Sequence, residues 1–323
     1  MNESNKPSQT RGWDTYWKGT DDKDSYASGG ESHPAITLFW NESLRQILEP
    51  LTNPRILDIA TGSGAVIEYL FNYAKDAEPD VTCVDISEAA IDSVRRTYPA
   101  VVGIVADAVS VPLESRRYEL VTSQFGIEYA GLDAVDEAAR LVAPGGALAV
   151  LMHIRPGLIF DECRAALDAV RRLQKSEFIE RSLEFFEAGF AAVQGADRAP
   201  YEQAGLNLNP AIEEVQSILS ETGDGVAGGR IARLFSDVGR FHKRIQFYEP
   251  KEVIEWLRTM HREFTEYEAR MASMCSAAID RETFHDIERR LQKHGLSIVQ
   301  GEPLLADNSA LPVAWALRAA RGN

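Results

Sequence analysis

The chain has 323 residues, of which 45% are hydrophobic, and a formal net charge of −15. This length and composition predict a folded globular protein with a substantial core, and the sequence has neither the roughly 18 to 20 consecutive apolar residues of a membrane span nor a signal-peptide pattern at its start. We therefore expect a cytoplasmic protein without a membrane partner, and the acidic surface, which repels phosphate backbones, argues against a nucleic-acid partner.

The first 50 residues are predicted to form an N-terminal arm and a helix that cap a ligand site. The arm is polar but carries several aromatic side chains, among them Trp17, and it ends near His33. Two uses of this arm stay open. It either packs on the domain surface or acts as a flap over a bound ligand, in which case Trp17 and His33 would reach that ligand.

Short apolar runs alternate with helical patterns from residue 55 to about residue 154. The runs are rich in β-branched residues and read "RILDIA", "DVTCVDI", "VVGIVADA", "YELVTSQF" and "GALAVLMHI". The segments between them have the apolar spacing of amphipathic helices, and Ser87 is placed to cap one of these. This alternation predicts a Rossmann-like, mostly parallel sheet with helices on both faces and ligands at the carboxyl ends of the strands.

Residues 157–294 have an almost wholly helical pattern, with an expected break near Asp280. Two strand-like runs follow, "LSIVQGEPLL" and "PVAWALRAA". Because these late strands need a sheet to join, we predict one α/β core made of residues 51–156 and 295–323. Residues 157–294 are then a large all-helical insertion, which would serve as a lid over an acceptor or as an oligomer interface.

The segment "DIATGSGAVI" after the first strand holds Gly62 and Gly64, which let the backbone approach a ligand closely. A dinucleotide fingerprint would place a third glycine where this chain has Ile67, which disfavours a nucleotide-dependent oxidoreductase. Asp58, Asp85 and Asp107 follow in order at the ends of three successive strands. Together they suit an adenosine-shaped ligand, with one carboxylate for the ribose hydroxyls and one for the adenine amino group.

These ordered motifs resemble those of class I S-adenosylmethionine-dependent methyltransferases. "LDIATGSG" resembles the first motif of that family, "VTCVDIS" its ribose-binding motif, "ADAVSVP" its adenine motif and "YELVTSQFGIEY" its fourth motif. The likeness covers residues 55–154 well and 296–320 loosely. It implies S-adenosylmethionine as cofactor and a seven-stranded sheet of order 3-2-1-4-5-7-6 with an antiparallel last strand.

The resemblance also assigns cofactor roles to individual positions. Asp58 would help to hold the ammonium group, Asp85 the ribose hydroxyls and Asp107 the adenine amino group. Gln124 and Phe125 would line the sulfonium end. The full set of residues that match cofactor-binding positions of the family is Asp58, Ala60, Gly62, Gly64, Asp85, Ile86, Asp107, Ala108, Gln124 and Phe125.

Methyl transfer from a sulfonium is an in-line displacement, so the protein mainly aligns the acceptor and, for an oxygen acceptor, removes a proton. Glu128, Tyr129 and His153 follow the fourth and fifth strands and are the candidate catalytic residues, with His33 as a further candidate if the arm folds over. A hydrogen-bonded structural histidine is the alternative interpretation of His153.

Metal binding is not expected, because the remaining histidines lack the spacing of metal ligands. The three cysteines, Cys83, Cys163 and Cys275, are far apart and odd in number, so we expect reduced packing residues and no disulfide.

The leading hypothesis is a methyltransferase that acts on an O or N atom of a small-molecule metabolite. Two alternatives stay open. One is a cofactor-binding, non-catalytic scaffold that dimerises through its helical insertion, and the other is a methyltransferase acting on a protein or peptide. A homodimer is compatible with each of them.

Overall fold

The computed structural model describes residues 33–74, 79–306 and 310–323. Seven strands form one sheet in these ranges: β1 (Arg55–Ile59), β2 (Asp80–Asp85), β3 (Val102–Val105), β4 (Tyr118–Gln124), β5 (Val142–His153), β6 (Leu296–Leu305) and β7 (Pro312–Arg321). Their order is β3-β2-β1-β4-β5-β7-β6. The first five strands pair in parallel, and β7 is antiparallel to β5 and β6. The predicted fold class and strand order are confirmed.

Eleven α-helices accompany this sheet within the described ranges: α1 (Pro34–Leu48), α2 (Ala65–Tyr73), α3 (Glu88–Thr97), α4 (Ile127–Ala130), α5 (Leu132–Leu141), α6 (Leu158–Lys175), α7 (Phe178–Val193), α8 (Ala199–Thr222), α9 (Arg230–Lys243), α10 (Pro250–Ala277) and α11 (Arg281–Lys293). Two short 3₁₀ turns, Val226–Gly229 and Ile245–Phe247, flank α9. Although α10 has 28 residues, no helix in the described part of the chain is long and apolar enough to cross a membrane.

Helices cover both faces of the sheet, so the central strands are buried on both sides and read as continuous apolar runs. In β6, Gln300 lines a cavity beside α1 whereas the next residue, Gly301, faces Glu288 of α11. Successive residues of a strand point to opposite faces, so α1 and α11 lie on opposite sides of the sheet. On the α11 side the Phe284 ring stacks on Trp315, with ring centroids 4.0 Å apart.

The chain divides into two compact units. The first comprises Met1–Asp161 with Ser276–Asn323, and the second comprises Glu162–Cys275. The insertion predicted at 157–294 differs from the second unit, mainly at its C-terminal end. Helical periodicity predicts that α11 is a helix but does not show what the helix packs against. In the structure, α11 contributes Ile287 and Leu291 to the core of the sheet.

The predicted break near Asp280 is confirmed, because Asp280 caps α11 by accepting the Thr283 N–H at 2.9 Å. The second unit has an aromatic core of its own, in which Phe178 and Phe186 are fully buried. The role predicted for this helical unit, a lid or an oligomer interface, stays a prediction.

Candidate active site

The glycine-containing turn after β1 takes a backbone conformation that most side chains disfavour. Gly62 and Gly64 have φ angles of 51° and 87°, and Ala60 shares the left-handed region with a φ of 53°. A Cβ atom at Gly64 would lie 3.2 Å from Val94 Cγ2 of α3. Gly64 is thus needed both for the turn and for the close approach of α2 to α3. Ile67, where a dinucleotide fingerprint has glycine, is fully buried in α2.

The Asp85 carboxylate at the end of β2 ties two backbone segments together. Its Oδ2 accepts the Gly62 N–H at 2.9 Å, and its Oδ1 accepts the Ser87 N–H at 2.9 Å. Hydrogen bonds from backbone N–H groups to a carboxylate are charge-assisted and strong. Asp85 therefore fixes the turn after β1 against the tip of β2, at the place where the sequence predicts a ribose site.

Asp58 is almost fully buried in β1, with 1% of its surface exposed. The Thr61 hydroxyl donates to its Oδ2 at 2.6 Å and the Thr122 hydroxyl to its Oδ1 at 2.8 Å. Burial raises the pKa of Asp58 to about 7; the two hydroxyls oppose this rise and the charge of Asp85 adds to it. The carboxyl group is poised to ionise near neutral pH when a cation comes close.

The predicted adenine-binding positions follow β2 and β3. Ile86 is half-buried, Ala108 is buried, and Asp107 is half-buried with its Oδ1 accepting the Val109 N–H at 3.1 Å. The Asp85 carbonyl also accepts the Ala106 N–H at 2.9 Å, which joins the tips of the two strands. These residues share the carboxyl edge of the sheet with Asp58 and Asp85, and their ligand roles stay predictions.

The loops after β1 and β4 meet directly. A Cβ atom at Gly126 would lie 2.7 Å from both Cβ and the carbonyl oxygen of Ala60. Gln124 accepts a hydrogen bond from the Trp40 Nε1–H of α1, while its own buried Nε2 has no hydrogen-bond partner among the described residues. Phe125 has a positive φ of 51°. A donor at the end of β4 that has no partner among the described residues is suited to a bound ligand.

Several residues of this edge were missed from the sequence, namely Thr61, Thr122, Trp40 and Gly126. Thr122 lies opposite Asp58 across the β1–β4 pair, a register that a single sequence does not reveal. Trp40 reaches Gln124 across 84 positions of the chain. Thr61, Thr122 and Gly126 all lie within the quoted motifs, so their positions were detectable although their contacts were not.

The candidate catalytic residues Glu128, Tyr129 and His153 come together. Glu128 Oε1 lies 2.7 Å from His153 Nδ1 and accepts the backbone N–H of His153 at 2.9 Å. The Phe125 and His153 ring centroids are 4.4 Å apart, and Tyr129 meets the imidazole edge-on at 5.9 Å. Both side chains of the pair are buried.

His33 lies at the start of α1, where its Nδ1 accepts the Ala35 N–H at 3.2 Å and so caps the helix. It also lines a cavity of about 280 Å³ beside β6, together with Leu304 and Arg318. None of the ten predicted cofactor residues lines this cavity. Trp17 lies outside the described residues, so its predicted contact with a ligand stays a prediction.

In the ranges that the structure describes, no cluster of three or more His, Cys, Asp or Glu side chains is arranged to hold a metal ion. The cysteines are free thiols, and burial raises the pKa of both Cys83 and Cys163 to about 12. Such thiols are poor nucleophiles at neutral pH.

Comparison with known proteins gives matches to methyltransferases. Residues 56–146 match a family described as a methyltransferase domain. A demethylmenaquinone methyltransferase of Chlamydia trachomatis is 29% identical over 126 residues, which are 38% of this chain and 53% of that protein. A ubiquinone/menaquinone biosynthesis C-methyltransferase of Cereibacter sphaeroides is 30% identical over 124 residues, 36% of this chain and 49% of that protein. The chain thus spans about half the length of these curated relatives.

A malonyl-[acyl-carrier protein] O-methyltransferase of Enterobacter lignolyticus is 33% identical over 97 residues, 29% of this chain and 37% of that protein. A crystal structure of a candidate S-adenosylmethionine-dependent methyltransferase of Methanococcus maripaludis covers 97% of this chain and 94% of its own, with 11% identity and a TM-score of 0.43. Residues 56–146 thus match a methyltransferase-domain family, and the strand order of the sheet is the one that the resemblance to class I S-adenosylmethionine-dependent methyltransferases implies.

Proposed function

We propose that the chain transfers a methyl group from S-adenosylmethionine to an O or N atom of a small-molecule metabolite. The observation that carries this proposal is the arrangement at the tips of β1 and β2, where Asp85 accepts one backbone hydrogen bond from Gly62 of the turn and one from Ser87 after β2. That turn lies beside a buried carboxyl group, Asp58, which can pair with an ammonium group. Few ligands combine a cationic amino-acid end with a ribose.

The residues present fit this cofactor. The backbones at Ala60 and Gly126 approach so closely that a Cβ at Gly126 would not fit. Gln124 Nε2, which has no hydrogen-bond partner among the described residues, supports the predicted contact at the sulfonium end. Asp85, with Ile86 beside it, would bind the ribose and adenine ring, and Asp107 and Ala108 the adenine edge. When bound, the cofactor supplies an electrophilic methyl group, so the protein has only to align the acceptor and remove its proton.

The proposal of a small-molecule acceptor is supported by two kinds of observation. The net charge of −15 disfavours nucleic acid. The matched relatives are named for demethylmenaquinone, for ubiquinone/menaquinone biosynthesis and for malonyl-[acyl-carrier protein]. These names do not fix the acceptor of this chain, because relatives that share a cofactor fold differ in the substrates they use.

Replacing Asp85 tests the cofactor assignment. Asp85→Asn keeps the size of the side chain but removes its charge and one of its two acceptor oxygens. We expect the affinity for S-adenosylhomocysteine, measured by calorimetry, to fall at least about tenfold, since a charge-assisted hydrogen bond contributes roughly 1.5 to 3 kcal/mol. Asp92→Asn removes an exposed carboxylate of α3 and serves as the matched control, with unchanged affinity.

Equal affinities of wild type and Asp85→Asn would refute the assignment. Binding of NADH without binding of S-adenosylhomocysteine would also refute it and would favour an oxidoreductase. Thermal unfolding of both variants separates loss of the ligand site from loss of the fold.

A further inference from the structure

Among the described residues, two polar atoms of the buried pair of Glu128 and His153 have no hydrogen-bond partner. Glu128 Oε2 and His153 Nε2 are inaccessible to solvent and have no hydrogen bond within the described ranges. Only 4% of His153 is exposed. Buried polar groups of a structural pair are normally satisfied, because a buried donor or acceptor without a partner destabilises the fold. If the pair served only to hold the fold together, we would not expect Glu128 Oε2 and His153 Nε2 both to lack a hydrogen bond.

The geometry of the pair selects one tautomer of His153. An ionised carboxylate can only accept hydrogen bonds, and Glu128 Oε1 lies 2.7 Å from Nδ1. The proton of a neutral imidazole is then on Nδ1, and Nε2 keeps its lone pair. The same Oε1 accepts the backbone N–H of His153 at 2.9 Å. Glu128 thus holds both the main chain and the ring of His153.

The position of this ring relates it to the cofactor site. The imidazole packs on Phe125, which the proposed function places at the sulfonium end. Nδ1 and Nε2 are on different sides of a five-membered ring, so Nε2 points away from Glu128. Tyr129, the other titratable side chain in contact with the ring, meets it edge-on.

We propose that His153 Nε2 is the proton acceptor of the reaction, that Glu128 is a positioning residue for it, and that the methyl acceptor is a hydroxyl compound. This inference rests on the proposed function. The acceptor O–H gives its proton to Nε2, and the oxygen forms a bond to the methyl carbon while the carbon–sulfur bond breaks and sulfur keeps the electron pair. Glu128 stabilises the imidazolium that results. An amine that is already neutral would not need this pair.

The tautomer of His153 can be measured without any acceptor. The full-length chain is labelled with ¹⁵N-histidine and studied by long-range ¹H–¹⁵N correlation, with the His153 signals assigned by their loss in His153→Gln. We expect a protonated Nδ1 and an unprotonated Nε2 in the wild type. Glu128→Ala removes the acceptor and should shift the proton towards Nε2, whereas Glu128→Gln should restore the wild-type pattern, since its amide oxygen can accept both hydrogen bonds.

The exposed pair of His285 and Glu288, with Nδ1 and Oε2 2.8 Å apart, provides the matched control. Glu288→Ala should leave the His153 signals unchanged. A wild-type His153 with its proton on Nε2 would overturn the proposal, as would a Glu128→Ala spectrum identical to that of the wild type. S-adenosylhomocysteine should bind all these variants within about twofold of the wild type. If the proposed function fails, the wild type will not bind S-adenosylhomocysteine. If only this inference fails, the wild type will bind S-adenosylhomocysteine but His153 will not show the expected tautomer.

Proton transfer to Nε2 is tested with 4-nitrophenol, whose ionised form absorbs at longer wavelength. At pH 6, with the chain saturated with S-adenosylhomocysteine, we expect the nitrophenolate band to grow with wild-type protein and not with His153→Gln. The same absorbance with both proteins, including none with either, would refute a proton-accepting role of His153.

Discussion

Binding of the cofactor should release a proton from Asp58. The pKa of this buried carboxyl group is about 7, so about half of it is protonated at pH 7 in the free protein. An ammonium group that pairs with it favours the ionised form and lowers its pKa. Because the ligand binds the ionised form better, affinity should fall as the pH drops below about 7 and level off above it. By linkage, binding at pH 6 should be about tenfold weaker than at pH 8.

Calorimetry measures this coupling directly. Titrations with S-adenosylhomocysteine at pH 7 in two buffers of different ionisation enthalpy give the number of protons released, which we expect to be about 0.5. Asp58→Asn should release none, and its affinity should no longer follow this pH dependence. Asp133→Asn removes an exposed carboxylate of α5 and should behave like the wild type.

His153→Gln removes the other proton-binding side chain proposed to act at this site, so it is the second control and should keep the proton release. Release of no proton by the wild type, or the same release by Asp58→Asn, would show that the Asp58 carboxyl group does not pair with the ligand.

Two further predictions concern the meeting of the loops after β1 and β4. Gly126→Ala should lower the melting temperature and weaken binding of S-adenosylhomocysteine at least about tenfold, because its Cβ would lie 2.7 Å from Ala60. The control is Gly239→Ala, at a helical position with nothing within 4 Å of the added Cβ, and it should be neutral or stabilising by up to about 1 kcal/mol. Equal effects of the two substitutions would contradict the close approach of Gly126 to Ala60. Trp40→Phe removes the N–H that holds Gln124 together with part of a fully buried indole ring, so it should weaken binding several-fold and also lower the melting temperature, whereas unchanged affinity would show that Gln124 does not need this contact.

The order of the elements could be predicted from the sequence because local patterns report it. The apolar runs around Leu57, Val121 and Val150 are long enough to be buried strands, and the helical spacing between them implies parallel crossovers. The turn at Gly62 and Gly64 could be predicted for a similar reason, since glycine is the residue that takes a positive φ without strain. Asp280 showed where a helix begins, as a capping residue does.

The packing partners of the helices could not be predicted from the sequence. The pattern of α11 is as helical as that of α10, yet Phe284 and Ile287 belong to the core of the sheet. The side of a domain on which a helix lies depends on contacts between distant residues, and a periodicity of 3.6 residues carries no information about them.

The sequence by itself determined the strands, the helices, the acids at the strand ends and the glycines of the turn, because each depends on residues near it in the chain. Only the tertiary structure decided that Asp58 is buried, which raises its pKa to about 7 even though two threonine hydroxyls donate to it and oppose the rise. The tertiary structure also joined Glu128 to His153, 25 positions further on. Such pairings follow from strand register and from the exclusion of water around a carboxyl group, and both arise only when the sheet has assembled.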